Sequence, residues 1–507
     1  MKKRNEILFL ASVPFLYIAL FMLFLPFFKH QINPDSISLI NISLKYLHGE
    51  FSLAVNGYWP PLISWLLTIF IFIFKNPVFS FKMLSLFIGL FALYNFYGVL
   101  KALKFEFFQI IISLYTAVIG VLYFSLTIAS SDLLTASLIL AYLSFALRED
   151  VFEERNFIIK AAVIGFLLYI SKTYGFFFFL AHFTTMAIIE FIRRREKKSV
   201  ALKYLVTMIL FILLSLMWII PISMKYHTIT VGTTGKYNYA CYGPDEEKIR
   251  EPYIHALPLP DSMSTSNWDD PSLVYNESWS PIDSKESFTH QLKLLRKNIP
   301  WYFDLMNSFS YLSLLIFAGA LLFFFKKRRR RIIAYLIAAV FYSGAGYLMI
   351  AFEQRYLWVN YFLLIALSVL LLNILVKNIK HRNIALLFVL ATFLLMPAKN
   401  IYSDMNANKD IYDSYQELKQ YGISGNTASD SNRGYMTILS FYLNCSYYGA
   451  FGRNISSDEF KAEIDENKIE YYFIFEESDS ILQSVLNPNF ETYIQNQKFR
   501  VLKRINE

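Results

Sequence analysis

The stretch "QINPDSISLINISLKYLHGEFSLAVNGYWPPLISWLL", residues 31–67, decides how this chain reads. An apolar run ends just before it, and Asp35 stands a few residues beyond that run. A polar, amphipathic segment then leads to Trp59, Pro60 and Pro61, which open a second apolar run. The arrangement asks why a membrane protein would set an aspartate and a helix just outside its first span.

The rest of the chain supplies the membrane. Of 507 residues, 55% are hydrophobic, 18% aromatic and only 17% charged, against about 25% charged in a typical soluble domain. A span needs roughly 20 apolar residues, and about eleven segments qualify on the hydropathy criterion: 7–28, 82–100, 107–128, 133–147, 157–172, 174–192, 201–222, 305–325, 332–351, 357–376 and 384–400.

The net charge of +9 does not form a nucleic-acid face. It is parcelled into short clusters between spans: "KKR" at 2–4, Lys101 and Lys104, Arg148 and Arg155, "RRREKK" at 193–198, "KKRRRR" at 326–331 and "KNIKHR" at 377–382. These fall on alternate loops, the pattern of cytoplasmic loops. The expected topology has a cytoplasmic N-terminus, with 29–81, 129–132, 223–304, 352–356 and 401–507 outside. That requires 61–74 to be a short helix in or on the outer leaflet rather than a span. The first span lacks a small-residue cleavage site and reads as an uncleaved anchor. Cys241 and Cys445 both fall outside, where pairing is permitted but not demanded.

Two segments read as folded material outside the membrane. Residues 223–304 form a loop too long for a simple connector, rich in Pro, Trp, Tyr and Asp. Residues 402–507 read as a small α/β domain: a helix in "KDIYDSYQELKQYG" closed by Gly422, a second helix in "SSDEFKAEIDEN" capped by Ser456 or Ser457, and a buried strand in "KIEYYFIFEE".

The opening stretch resembles the GT-C class of membrane glycosyltransferases, among them the protein O-mannosyltransferases and the lipid-A aminoarabinose transferases. The matching residues are Asp35, the helix Ser36 to Leu47, "HGEF" at 48–51 and "YWPPLISWLL" at 58–67. "IASSDLLTASLIL" at 128–140 is similar to the class's second outer loop with its single aspartate, here Asp132, and "FEQRYLWVN" at 352–360 to its late Arg-Tyr motif. The resemblance covers roughly residues 7–400. It implies a polytopic α-helical fold with juxtamembrane helices in the first outer loop. It also implies transfer of a monosaccharide from a polyprenyl phosphate to a glycan, lipid or protein acceptor at the outer face, in a single displacement that inverts the anomeric centre.

That chemistry needs a carboxylate to take the acceptor proton and cations around the leaving phosphate. Asp35 is the candidate base, although an aspartate there equally suits the cap of the helix beginning at Ser36. Asp132 is the second candidate, and "SSD" is also a good helix start. Lys172 and Arg355 carry positive charge at the outer edge, against the inside-positive pattern. They are the candidate phosphate ligands, with Lys82 as a third; the plain alternative is snorkelling or pairing, with Glu353 beside Arg355. In the large loop, "TGKYNYACYGP" at 234–244, "NWDDPS" at 267–272 and "NESWSP" at 276–281 mix aromatic faces with carboxylates and amides. Trp268, Asp269, Asp270 and Trp279, with Tyr58 and Trp59, are the candidate acceptor or sugar contacts, against the reading of a loop packing its own aromatics.

The chain departs from the class in two places. Asp35 is followed by Ser36 rather than by a second acid, and Asp132 has no acidic neighbour, so no cofactor is expected and a divalent metal is not favoured. Trp59 stands where the lipid-A enzymes place a lysine that contacts the lipid phosphate, which leaves that task to Lys172 and Arg355. A bacterial inner membrane is the expected home, since Asn41 in "NIS" would be a glycosylation site inside the proposed active-site helix in a secretory pathway. The competing readings are a transporter or flippase of a lipid-linked or anionic substrate, which should show internal symmetry and paired broken helices, and a non-catalytic partner that retains the scaffold.

Overall fold

The computed structural model describes residues 2–245, 247, 249, 251–274, 279–325, 330–453, 455–476, 485, 486 and 489–505. Residues 326–329 of the basic run, 276–278 of "NESWSP" and the side chains of the "KKR" stub lie outside the described set.

The chain is an integral, multi-pass membrane protein. Eight described helices are long and apolar enough to span a bilayer. They are α1 (Lys2–Phe28), α5 (Pro77–Ala102), α6 (Phe107–Thr127), α9 (Thr173–Arg193), α10 (Lys197–Lys225), α14 (Arg330–Gly344, extended by a 3₁₀ turn), α15 (Trp358–Leu375) and α16 (Ile379–Ser403). Three shorter apolar helices join them: α4 (Leu62–Phe74), α7 (Asp132–Ala146) and α8 (Phe157–Ser171). The first outer loop also holds α2 (Pro34–Leu47) and the single turn α3 (Phe51–Ala54), and the large loop holds α11 (Thr234–Ala240).

The span expected at 305–325 is two helices. α12 (Lys285–Phe309) and α13 (Ser313–Phe325) are bent by 107°. Ser310 leaves the helix in an extended conformation, and its hydroxyl accepts from the Leu312 N–H at 3.1 Å. Apolar composition alone does not reveal this break, because both halves are hydrophobic.

Without a water-driven force between helices in lipid, contact depends on close packing and on hydrogen bonds that cross helices. Both are seen where α6 meets α15. A Cβ on Gly120 would lie 2.4 Å from Tyr361 Cε1, so only glycine admits the ring. The Tyr361 hydroxyl, fully buried, lies 3.1 Å from the carbonyls of Thr116 on α6 and Phe393 on α16.

Beyond the last span stand α17 (Lys409–Leu418), α18 (Arg433–Leu443), α19 (Ser457–Glu466) and five strands: β1 (Gly425–Ser429), β2 (Cys445–Ala450), β3 (Tyr471–Ile474), β4 (Phe490–Gln495) and β5 (Arg500–Arg504). The sheet order is β2-β1-β3-β5-β4. β1 is parallel to β2 and β3, and β5 is antiparallel to β3 and β4. Ser456 caps α19 in a capping box with Glu459, and the four residues of β3 are buried as a central strand should be. The β2 edge, a row of otherwise unpaired backbone groups, is covered by the large loop: Tyr447 N–H donates to Thr265 O at 2.7 Å and Leu257 N–H to Tyr448 O at 2.8 Å. The loop thus runs between this sheet and the first outer loop, which sets the position of its aromatic residues.

Candidate functional site

Local sequence places Asp35 in the first turn of α2 but does not use it as the cap. Asn33 is the cap, its Oδ1 accepting from Ser36 N–H at 2.8 Å. Pro34 follows at the start of the helix, where its missing N–H costs nothing. The capping alternative for Asp35 is therefore overturned, and its carboxylate points elsewhere. Oδ2 accepts from Arg355 Nη1 at 2.6 Å, and Oδ1 from the Trp268 indole N–H at 2.9 Å. The carboxylate sits in the favourable field of the helix N-terminus.

Asp132 opens α7. Its Oδ1 accepts from Lys172 Nζ at 2.5 Å and its Oδ2 from the Ser130 hydroxyl at 2.8 Å, while Arg355 Nε lies 3.6 Å from Oδ2. Lys172 is the residue between α8 and α9, in extended conformation, with its ammonium 4.0 Å above the Tyr356 ring. Tyr356 in turn stacks on Tyr347 at 4.4 Å. Arg355 lies between the two aspartates, its side chain 11% exposed. Glu353 Oε2 is 2.6 Å from Arg355 Nε, a third ion pair of the same guanidinium. The guanidinium, paired with Asp35, Asp132 and Glu353, borders a cavity lined also by Asp132, Lys172, Tyr174, Ser343 and Tyr347.

Four candidates distant in sequence, Asp35, Asp132, Lys172 and Arg355, thus meet as one chain of charges. Lys82 does not join it: its ammonium is wholly buried on α5 and its hydrogen bond goes to the Leu126 carbonyl at 2.5 Å.

The large loop forms the other wall. Trp268 packs edge-on against Tyr58, Trp59 and Tyr237, and Trp59 Nε1–H donates to the Trp268 carbonyl at 3.1 Å. Asp269 and Asp270, expected as acceptor contacts, are both 1% exposed and anchor the loop instead. Asp269 Oδ2 accepts from Asn41 Nδ2 at 2.7 Å and from Thr265 N–H at 2.9 Å, and burial pushes its carboxyl above the usual carboxylate range. Asp270 Oδ2 accepts from the Tyr226 hydroxyl at 2.6 Å and Lys225 Nζ at 3.0 Å. Trp279 lies apart, stacked on Tyr239 at 4.5 Å.

Among the described residues no three His, Cys, Asp or Glu side chains converge as a metal-ligand set. The carboxylates of Asp35 and Asp132 are engaged by Arg355 and Lys172. The described cysteines are not paired with each other.

No protein-family profile matches the sequence, and no curated protein matches it. Solved structures do. ArnT from Cupriavidus metallidurans bound to undecaprenyl phosphate superposes with a TM-score of 0.55 at 10% identity, over 99% of this chain and 98% of that one. The archaeal oligosaccharyltransferase AglB from Archaeoglobus fulgidus, in complex with an inhibitory peptide and a dolichol-phosphate, gives 0.56 at 12% identity, over 93% of this chain and 69% of that one. Both are GT-C glycosyltransferases.

This chain has the GT-C fold. Within it, several site residues escape a reading of the sequence. Asn56 accepts from the N–H groups of both Tyr58 and Trp59 at 2.9 Å and donates to the Asp269 carbonyl at 2.7 Å, so it shapes the Trp-Pro-Pro turn and ties it to the loop. Asn41, Lys225 and Tyr226 hold the two loop carboxylates. Tyr347 and Ser130 complete the Lys172 and Asp132 environment. The Asn-Gly preceding "YWPP" is a turn signal that could have pointed to Asn56; the other residues carry no local signature.

Proposed function

We propose that the protein is a glycosyltransferase that moves a monosaccharide from a polyprenyl-phosphate carrier to an acceptor at the outer membrane face. The observation that carries this reading is the placement of Lys172 and Arg355 on a cavity beside Asp132, with Asp35 hydrogen-bonded to the same guanidinium. Membrane-edge cations are costly and mark anionic ligands, and arginine suits a phosphate in two-pronged geometry. The fold's likeness to proteins solved with undecaprenyl phosphate and dolichol-phosphate supports the carrier class.

In the reaction, the acceptor hydroxyl gives its proton to the Asp35 carboxylate while its oxygen attacks the anomeric carbon. The bond from that carbon to the phosphate oxygen breaks, and the departing polyprenyl phosphate keeps the electron pair. Lys172 and Arg355 hold the charge it gains. A single displacement of this kind inverts the anomeric centre. Asp132 orients Lys172, and Trp59 and Tyr58 are assigned to the acceptor side. The proposed setting is a bacterial inner membrane, with the N-terminus cytoplasmic and residues 402–507 outside.

The test is to purify wild type and Asp35→Asn and to identify co-purifying lipids by native mass spectrometry and lipid extraction. A sugar-loaded polyprenyl phosphate in the variant and bare polyprenyl phosphate in the wild type support the reading. Absence of any polyprenyl lipid from both, with none bound on addition, overturns it in favour of a transporter or non-catalytic protein.

A further inference from the structure

We infer that Asp35 is a masked base, fixed by Trp268 and blocked by Arg355, and that the carrier phosphate unmasks it by drawing the guanidinium away. The inference rests on the reading above and adds an order to it: the donor must arrive before the acceptor can be activated.

Three carboxylates, those of Asp35, Asp132 and Glu353, surround two cations, Arg355 and Lys172. Both oxygens of Asp35 are already hydrogen-bonded. With both oxygens occupied, the carboxylate has no oxygen placed to receive an acceptor's hydroxyl proton; Oδ2 comes free only when Nη1 leaves it.

An arriving phosphate supplies the reason to leave. It brings further negative charge to a cluster in which acids already outnumber bases, so one existing ion pair must loosen. Lys172, Asp132 and Arg355 line the cavity and Asp35 does not, so a phosphate seated there draws the guanidinium off Asp35, while Glu353, 55% exposed, is readily solvated. Asp35 is 14% exposed; once released, it keeps the Trp268 indole and gains a free oxygen. Trp268 is then a positioning residue that holds the carboxylate in place through the exchange. It is itself held by the Trp59 N–H on its carbonyl and by the buried anchors Asp269 and Asp270 on either side of the next peptide bond. The same exchange shields the donor, since no free base stands in the site until the phosphate is seated.

The experiment labels carboxyl groups in the purified wild-type protein with a water-soluble carbodiimide and an amine, and reads Asp35 by peptide mass spectrometry. It is done alone, with undecaprenyl phosphate, and with inorganic phosphate. Lipid occupancy is followed in parallel by native mass spectrometry. Labelling of Asp35 is expected to rise roughly tenfold once undecaprenyl phosphate is bound, the effect of losing about one charged hydrogen bond. A rise with inorganic phosphate as well assigns the unmasking to the phosphate charge alone, and a rise with the lipid only assigns it to the seated carrier; both support the inference. In Arg355→Gln, Asp35 should be labelled at the high level from the start. Bound lipid with unchanged Asp35 labelling in the wild type overturns the masking while leaving the glycosyltransferase reading intact. Failure of the lipid to bind at all overturns that reading, and the inference with it.

Discussion

Arg355 Nη1 donates to Asp35 Oδ2 at 2.6 Å across 320 positions of sequence. This contact joins the first outer loop to the start of a late span, and most of what the site can do follows from it. The guanidinium meets a base candidate on one side and, through Asp132, a lysine on the other.

Asp35→Asn should preserve the fold, because the amide oxygen still accepts from Trp268, and Arg355, which loses one acceptor, keeps Asp132 and Glu353. Transfer should fall by about 10²–10⁴, the usual contribution of a positioned general base. Single-turnover transfer from a radiolabelled polyprenyl-phosphate sugar checks this; a rate within threefold of wild type would remove Asp35 from the chemistry.

Arg355→Lys keeps the charge and loses the planar fork. The variant should bind undecaprenyl phosphate roughly tenfold more weakly, about the 1.4 kcal/mol that separates one decade of affinity. Titration of the detergent-solubilised protein against the lipid measures it. Lys82→Met, by contrast, should leave the lipid affinity unchanged, because the Lys82 ammonium is bound to the Leu126 carbonyl.

Asp269 provides a pH prediction with a definite sign. Its carboxyl is raised by burial, so the folded state favours the protonated form more than the unfolded chain does. That favourable difference is complete below the ordinary carboxylate value and is lost as pH rises through the raised one. Asp269→Asn should therefore flatten the fall in thermal stability above about pH 4, the ordinary aspartate value. Asp269→Ala should destabilise by about 1–3 kcal/mol, because the Asn41 amide and Thr265 N–H lose their acceptor. Melting curves of the three proteins between pH 4 and pH 8 decide it; a steeper pH dependence in the asparagine variant would contradict the burial argument.

Asn56→Ala removes two accepted and one donated hydrogen bond from a buried turn. At about 1 kcal/mol each, the loss is about 2–3 kcal/mol, and it is local to the Trp-Pro-Pro turn and the Asp269 loop. Limited proteolysis should cut the large loop faster in this variant, while the spans retain wild-type protection.

Much of the architecture was legible before any coordinates. Apolar segments and alternating basic clusters marked the spans, Lys172 and Arg355 stood out because charge at a membrane edge is expensive, and Asp35 and Asp132 stood out through the resemblance to the GT-C class. The break at Ser310 was not legible, since an extended serine between two apolar helices leaves hydropathy unchanged. Nor were the roles within the large loop. "NWDD" reads as a sugar-binding surface, but Asp269 and Asp270 face inward onto Asn41, Lys225 and Tyr226, and Trp268 alone reaches the aspartate.

By itself the sequence determined the membrane class, the rough position of most spans but not their number, since eight described helices are long enough where about eleven segments were expected, and which charged residues had to be explained. These are local properties: the cost of placing a polar group in hydrocarbon is settled residue by residue. Only the tertiary structure decided who partners whom. That Asn33 rather than Asp35 caps the helix, that Arg355 bridges two aspartates, and that Lys82 stays out of the site all depend on directions and distances between segments far apart in the chain. A hydrogen bond or ion pair forms only within about 3–4 Å and in the right orientation, and spacing along a sequence does not carry that geometry.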